Sequence, residues 1–223
     1  MPTRFSLVHA VREPLESSSE PAPILVMLHG VGSNEQDLMG LAPRLDPRFF
    51  IVSPRAPITL EHGSYGWYHV QFTPQGPVID PQEAEPSRVL ILRFLDEIAD
   101  SYNVDPDQVY LLGFSQGCIM SLSAALTEPR RFAGIVGMSG RLLPGVLDRR
   151  APEADMRGLP VLIVHGIHDS VLPIEYGREI RDALEKLPVA LTYREYPMGH
   201  HVSNESLSDV EMWLTERLDS KID

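Results

Sequence analysis

The chain is poor in cysteine, in long apolar stretches and in positive charge, and each shortage excludes something. Its single cysteine, Cys118, has no partner for an intrachain disulfide, which suits a reducing compartment. No stretch approaches the roughly 20 apolar residues that a membrane-spanning helix needs, and residues 1–10 contain no apolar signal-peptide core. The 19 Lys and Arg against 31 Asp and Glu give a formal charge of −12, which argues against nucleic acid or an anionic membrane as partner. We therefore expect a soluble, cytoplasmic protein.

The length and the pattern of the 223 residues predict one α/β domain over residues 1–223. Short apolar runs rich in β-branched residues alternate with helical patterns, which is typical of a mostly parallel sheet with helices on both faces. An additional strand from Arg4 to Arg12 is expected to pair antiparallel at the edge. The predicted central strands lie in residues 24–28, 50–52, 109–112, 135–138, 161–164 and 190–195, and the predicted helices in 87–102, 118–126, 174–187 and 203–218. In the first of these helices, Val89, Leu92, Leu95 and Ile98 are expected to face the core.

Residues 54–86 fit neither a helix nor a strand pattern and carry aromatic side chains among turn-forming residues. A long loop of this kind inside a compact domain is more often functional than idle. We interpret Trp67, Tyr68 and Phe72 as candidate substrate-binding residues, with ordinary anchoring of the loop as the alternative.

A G-x-S-x-G pattern at residues 113–117 points to a nucleophilic serine, Ser115. The pattern alone is weak, but here it joins a predicted strand to a predicted helix, which is the context that a nucleophile elbow requires. Such a turn exposes the Ser hydroxyl at the carboxyl end of the strand and leaves the N–H of the next residue, Gln116, free to bind an oxyanion.

A serine hydroxyl needs a base to remove its proton, and the base needs a carboxylate to fix its tautomer. Asp169 and His200 follow Ser115 in the order acid, then base, and each lies in a loop after a predicted strand. His201 competes with His200, since only one of two adjacent side chains can face Ser115. The second oxyanion donor is expected in the glycine-containing loop at residues 29–33, which follows the first central strand.

Four motifs together resemble the phospholipase/carboxylesterase family of α/β-hydrolases, which includes bacterial carboxylesterases and acyl-protein thioesterases. They lie, in order, at residues 29–33, 113–117, 165–173 and 197–200. The resemblance implies a lidless α/β-hydrolase domain without metal or cofactor. It also implies Ser115 as nucleophile, Asp169 as acid, His200 as base, and Val31 and Gln116 as oxyanion donors. Its implied substrate is a small-molecule carboxylic ester or thioester of small to medium acyl length, and it leaves a homodimer open.

The chain departs from this family at two positions. Cys118 stands where family members often have glycine, and we expect it to pack as a small apolar residue and not to act as a second nucleophile. His69 follows Trp67 and Tyr68 at a position where family members tend to have aspartate.

Three alternative functions can be weighed against ester hydrolysis. A metal site at His165, His168 and Asp169 lacks the spacing of metallohydrolase ligands. Cleavage of amides or peptides by the same triad would need a specificity pocket that the sequence does not indicate. A non-catalytic binding protein on this fold would be expected to have lost a triad residue, and none is missing.

Overall fold

The computed structural model describes residues 5–16, 18–73 and 76–220, and a seven-stranded sheet runs through the middle of the fold. The strands of this sheet are β1 (His9–Arg12), β2 (Ala22–Leu28), β3 (Phe50–Pro54), β8 (Val104–Phe114), β9 (Gly134–Met138), β10 (Pro160–Gly166) and β11 (Ala190–Tyr196). Their order in the sheet is β1-β3-β2-β8-β9-β10-β11. All neighbours pair in parallel except β1 with β3, which pair antiparallel at the edge. The predicted α/β fold with a mostly parallel sheet is confirmed.

Helices cover both faces of the sheet because the strands are apolar at consecutive positions. Ile24 and Val26 of β2 belong to one buried cluster, and Leu25 and Met27 belong to the cluster on the opposite face. The helices are α1 (Ala84–Ser101), α2 (Gln116–Thr127), α3 (Glu153–Met156), α4 (Ile174–Leu184) and α5 (Asn204–Asp219). The first cluster is covered by α1, α2 and α4, and the second by α5 and a 3₁₀ segment at Leu38–Arg44.

Two details concern the buried face of α1 and the N-terminus of α5. Val89 was expected in the core but is exposed, because the buried face of α1 is formed by Ile91, Phe94 and Ile98 with their neighbours. At the N-terminus of α5, Ser203 caps the helix: its hydroxyl accepts a hydrogen bond from the Ser206 N–H, and the two side chains form a reciprocal capping box.

The stretch between β3 and α1 contains two short antiparallel ribbons that the sequence pattern did not reveal. They are formed by β4 (Ile58–Glu61) with β5 (Ser64–Gly66), and by β6 (Gln71–Thr73) with β7 (Gly76–Val78). Tyr65 in β5 exchanges backbone hydrogen bonds with Gly32 and Ser33, so the first ribbon is attached to the loop that follows β2.

Within the described ranges, no helix is both long enough and apolar enough to cross a membrane. The predicted edge strand is shorter than expected, since it begins at His9, and Arg4 lies outside the described residues.

Candidate active site

Ser115 occupies a strained turn between β8 and α2. Its φ of 55° lies in the left-handed region that side chains other than glycine rarely adopt, as expected of a nucleophile elbow. The backbone crowds so closely here that a Cβ on Gly113 would lie 2.3 Å from the Gly117 carbonyl oxygen, and one on Gly117 would lie 1.8 Å from that of Leu28. Both glycines of the motif are therefore required by packing.

The hydroxyl of Ser115 is hydrogen-bonded to His200, and His200 to Asp169. The distance from Ser115 Oγ to His200 Nε2 is 2.9 Å, and the distance from His200 Nδ1 to Asp169 Oδ2 is 2.7 Å. With Nδ1–H donating to the carboxylate, Nε2 is the acceptor for the serine O–H. This is the tautomer in which the imidazole can take a proton from the hydroxyl.

Asp169 is held by the backbone of its own loop. Its second oxygen, Oδ1, accepts hydrogen bonds from the N–H groups of Val171 at 2.9 Å and Leu172 at 2.8 Å. The carboxylate is buried, so these donors replace water around the oxygen that does not contact His200. The loop thus orients the carboxylate toward the imidazole.

A second buried histidine, His165, lies behind this carboxylate. Its Nε2–H donates to the Leu172 carbonyl at 2.8 Å, and Nε2 lies 3.7 Å from Asp169 Oδ2. Burial lowers the pKa of His165, so its imidazole is neutral near pH 7. Sequence reasoning considered His165 only as a metal ligand, and its packing against the Asp169 loop becomes visible only in the structure.

The competition between the two adjacent histidines is resolved by their orientation. His200 contacts Ser115, whereas His201 is exposed and its backbone N–H donates to the Gly199 carbonyl. His168 is exposed as well, and among the described residues no group of three or more His, Cys, Asp or Glu side chains is arranged to hold a metal ion.

The backbone N–H groups of Val31 and Gln116 lie on two adjacent turns beside Ser115. These turns follow β2 and β8, which are neighbours in the sheet, and a Cβ on Gly30 would lie 3.3 Å from the Cβ of Ser115. Both residues line the same cleft as Ser115, and within the described part of the chain neither N–H has a hydrogen-bond acceptor. Two N–H donors in this position can stabilise an oxyanion.

The side chain of Gln116 holds the aromatic segment in place, a role that the sequence did not reveal. Its Oε1 accepts from the Trp67 N–H and its Nε2 donates to the Tyr68 carbonyl, both at 2.8 Å. The Trp67 indole N–H donates to the His29 carbonyl at 3.0 Å, and the Ser87 hydroxyl donates to the Trp67 carbonyl. The loop after β2, the aromatic segment and the Ser115 turn are therefore one hydrogen-bonded unit.

A cleft of about 240 Å³ opens onto Ser115 and His200. Most of its wall is apolar, and two charged side chains, Asp37 and Arg141, also line it; the apolar wall includes Tyr68, Val70, Ile79, Ile119, Val171 and Leu172. No sequence motif singled out Arg141, since it follows β9 without a recognisable pattern.

The three aromatic candidates have different positions in the structure. Tyr68 lines the cleft, and its side chain is otherwise buried. Trp67 is fully buried and is absent from the described wall, so the prediction that it forms part of the wall is corrected: its hydrogen bond to His29 anchors the loop instead. The backbone of Phe72 lies in β6, and its side chain lies outside the described structure.

Neither Cys118 nor His69, the two departures from the family pattern, lines the described cleft. Cys118 is fully buried, its sulfur lies against Gly137 and Gly140, and burial raises the pKa of the thiol to about 12. His69 is exposed and hydrogen-bonded to Glu83 at 2.9 Å, and this contact lowers the pKa of the Glu83 carboxyl.

The chain is similar to known proteins over most of its length. A model of the phospholipase/carboxylesterase family matches residues 10–218. An acyl-protein thioesterase 1 of Gibberella zeae is 28% identical over 224 residues, covering 92% of this chain and 94% of its own. A probable carboxylesterase of Oryza sativa subsp. japonica is 29% identical over 183 residues, covering 78% of this chain and 67% of its own.

A solved structure shows the same fold. The carboxylesterase from Mesorhizobium loti superimposes with a TM-score of 0.81 at 23% identity, covering 96% of both chains. The chain therefore belongs to the phospholipase/carboxylesterase family and has the α/β-hydrolase fold. It is a hydrolase of the carboxylesterase and thioesterase type, which sets aside the alternative of a non-catalytic binding protein.

Proposed function

We propose that this member of the phospholipase/carboxylesterase family hydrolyses small to medium acyl esters or thioesters with Ser115 as nucleophile, His200 as base and Asp169 as the orienting acid. One observation carries the proposal: the continuous hydrogen-bonded chain from Ser115 Oγ through His200 to Asp169, with distances of 2.9 and 2.7 Å. A neutral imidazole in this position converts a weak hydroxyl nucleophile into a strong one.

The reaction runs through a covalent acyl-enzyme. Ser115 Oγ attacks the carbonyl carbon while His200 Nε2 takes its proton, and the oxyanion is bound by the N–H groups of Val31 and Gln116. The carbon–oxygen or carbon–sulfur bond to the leaving group then breaks, and His200 gives its proton to the departing alcohol or thiol. A water molecule, deprotonated by His200, attacks the acyl-enzyme, releases the acid and restores Ser115.

The size and lining of the cleft support substrates of limited length. Its volume of about 240 Å³ lies below the range of about 300–1,000 Å³ that is common for ligand pockets. The apolar wall around Tyr68, Ile119 and Leu172 favours a hydrocarbon acyl chain over a peptide with charged side chains.

The proposal is tested with p-nitrophenyl esters from acetyl to dodecanoyl and with a fluorophosphonate probe. Wild type should hydrolyse short or middle chains best and should be labelled once, at Ser115. The variants Ser115→Ala and His200→Ala should lose turnover, and the neighbouring His201→Ala is the matched control that should keep it. Activity that survives Ser115→Ala at the wild-type level would refute the assignment, and cleavage of peptide p-nitroanilides in preference to esters would favour the amide alternative.

The proposal includes a single domain spanning residues 1–223 and a cytoplasmic location. The strands of the seven-stranded sheet come from residues between His9 and Tyr196, and α5 packs on the same sheet. Among the described residues, no second sheet forms a separate hydrophobic core. Limited proteolysis should therefore yield no stable fragment that lacks part of the seven-stranded sheet. The lone Cys118 suits a reducing compartment.

A further inference from the structure

Arg141 is placed beside Ser115 by a rigid segment at the carboxyl end of β9. Ser139, the first residue after the strand, has a φ of 48° and its N–H donates to the Val164 carbonyl at 2.9 Å. A Cβ on Gly140 would lie 2.4 Å from the Cys118 sulfur and 3.3 Å from the Ser115 carbonyl oxygen. The chain therefore passes directly against the Ser115 turn before Arg141 enters the wall of the cleft.

The guanidinium of Arg141 has no anionic partner among the described residues. It is half-buried, its Cζ lies 5.5 Å from the centre of the Tyr176 ring, and neither an ion pair nor a hydrogen bond involves it in the described chain. The other described arginines are ion-paired, except Arg12, which donates to backbone carbonyls, and Arg157, which is exposed. A half-buried charge with unused donors is costly unless something else satisfies it.

Asp37 carries the one carboxylate in the described wall of the cleft, and it lies on the side of Ser115 opposite to Arg141. Asp37 belongs to the segment after β2, and Arg141 to the segment after β9, while β8, which carries Ser115, lies between β2 and β9 in the sheet. Because the loops at the carboxyl ends of parallel strands follow the strand order, the two charges flank the serine from opposite sides. An anionic group in the cleft is repelled at Asp37 and attracted at Arg141.

We propose that Arg141 binds a carboxylate carried by the substrate, so that the enzyme prefers esters or thioesters with a negatively charged group to uncharged ones of equal length. The inference rests on the proposed function, since it assigns the substrate class of the same site. A guanidinium offers two parallel N–H donors that match the two oxygens of a carboxylate, and its stacking on Tyr176 leaves those edges available. Arg141 and Ser115 line the same cleft, whose mostly apolar wall accommodates the short hydrocarbon chain that would join the carboxylate to the ester.

The test compares esters matched in length that differ in one charge. For a carboxylate on the acyl side, monoethyl glutarate is compared with ethyl pentanoate. For a carboxylate on the alcohol side, 4-acetoxybutanoate is compared with butyl acetate. Turnover is followed by proton release at constant pH, so no chromophore occupies the cleft. We expect wild type to favour the anionic ester in one pair by about tenfold or more in kcat/KM.

The variant Arg141→Met should lower kcat/KM for the preferred anionic ester about tenfold more than for its neutral match, so that the ratio between the two falls toward one. Arg141→Lys should keep part of the preference because it keeps the charge without the planar pair of donors. Arg157→Met removes an exposed charge that has no ion pair among the described residues and that precedes β10, at the amino end of that strand, so it should change neither ratio. The proposal would be overturned if wild type preferred neither anionic ester. It would also be overturned if Arg141→Met lowered kcat/KM equally for charged and neutral esters.

A binding measurement separates failure of this inference from failure of the proposed function. Glutarate is titrated into wild type and Arg141→Met, with the dissociation constant read from chemical shifts and folding checked by circular dichroism. Binding that weakens about tenfold or more in Arg141→Met supports the anion site even if Ser115 proves not to be the nucleophile. Equal binding by both proteins overturns it, whatever the ester assays give.

Discussion

The side-chain oxygen of Gln116 accepts a hydrogen bond of 2.8 Å from the backbone N–H of Trp67. Gln116 is also the first residue of α2, and it lines the cleft beside Ser115. A single residue therefore joins the aromatic segment to the turn that carries the proposed nucleophile. Replacing this side chain should therefore lower the stability of the fold more than it lowers the catalytic rate.

Replacing Gln116 by Ala should destabilise the protein and spare most of the activity. The change leaves the Trp67 N–H and the Tyr68 carbonyl buried without partners, at about 1–3 kcal/mol each. The backbone N–H of residue 116 remains, so kcat should stay within about tenfold of wild type. Urea unfolding measures the loss. Gln82→Ala, at an exposed position, is the control, and an unfolding midpoint equal to that of the control would contradict this prediction.

Replacing Gly117 by Ala should prevent normal folding. The new Cβ would lie 1.8 Å from the Leu28 carbonyl oxygen, a contact that only a shift of the helix or strand could relieve. We expect a loss of about 4 kcal/mol or more, seen as insoluble protein or a strongly lowered Tm. The control is Gly40→Ala, whose Cβ would have no neighbour within 4 Å and which should fold normally. Equal Tm values for the two variants would contradict the close approach of Gly117 to the Leu28 carbonyl oxygen.

Asp169→Asn should keep the fold and lose activity by about a thousandfold or more in kcat/KM. The amide cannot stabilise the imidazolium, and it favours the wrong tautomer of His200. Hydrolysis of p-nitrophenyl acetate measures the effect. Asp148→Asn, at an exposed residue, supplies the matched control. A rate within tenfold of wild type would remove Asp169 from the proposed mechanism.

The stability of the protein should fall as the pH is lowered from about 6.5 to 5. Burial lowers the pKa of His29 and of His165, so in this range the unfolded chain binds protons that the folded one does not. Each histidine contributes stability that is complete above its unfolded pKa of about 6.5 and is lost as the pH falls toward its folded pKa. The slope is at most about 1.4 kcal/mol per pH unit for each group.

Urea unfolding at several pH values measures this slope. His165→Gln should make it shallower, whereas His201→Gln, at an exposed position, should leave it as in wild type. The measurements stop at pH 5. Near and below pH 4.5, carboxylates with a lowered pKa, such as Glu35 beside Arg55, also contribute to the pH dependence of stability. Stability that is constant between pH 7.5 and 5 would contradict the burial of neutral imidazoles.

Cys118 should be inert in the folded protein. Its thiol is fully buried and burial raises its pKa to about 12, so almost no thiolate exists at pH 8. Iodoacetamide should therefore label the unfolded chain and not the native one, as read by intact mass. Cys118→Ala should keep ester hydrolysis within about threefold of wild type. Rapid native labelling accompanied by loss of activity would mean that the thiol reaches the cleft.

Much of the fold could be predicted from local patterns. The strands around residues 24–28 and 161–164 are apolar at consecutive positions, because both faces of a parallel sheet are covered. The cap at Ser203 follows from its own neighbours in sequence. The burial of Val89 was predicted wrongly, since a helix with several apolar residues fits more than one inward face until the packing partners are known.

The sequence by itself determined which residues are candidates for the triad and that they follow strands at their carboxyl ends, because strand-to-helix turns and their glycines are local features. Only the tertiary structure decided which histidine faces Ser115, since His200 meets it across 85 residues of chain. The same holds for the burial of Trp67 and for the entry of Arg141 into the cleft. These contacts depend on the order of the strands in the sheet and on how closely their loops approach, and no local pattern encodes a distance between segments so far apart.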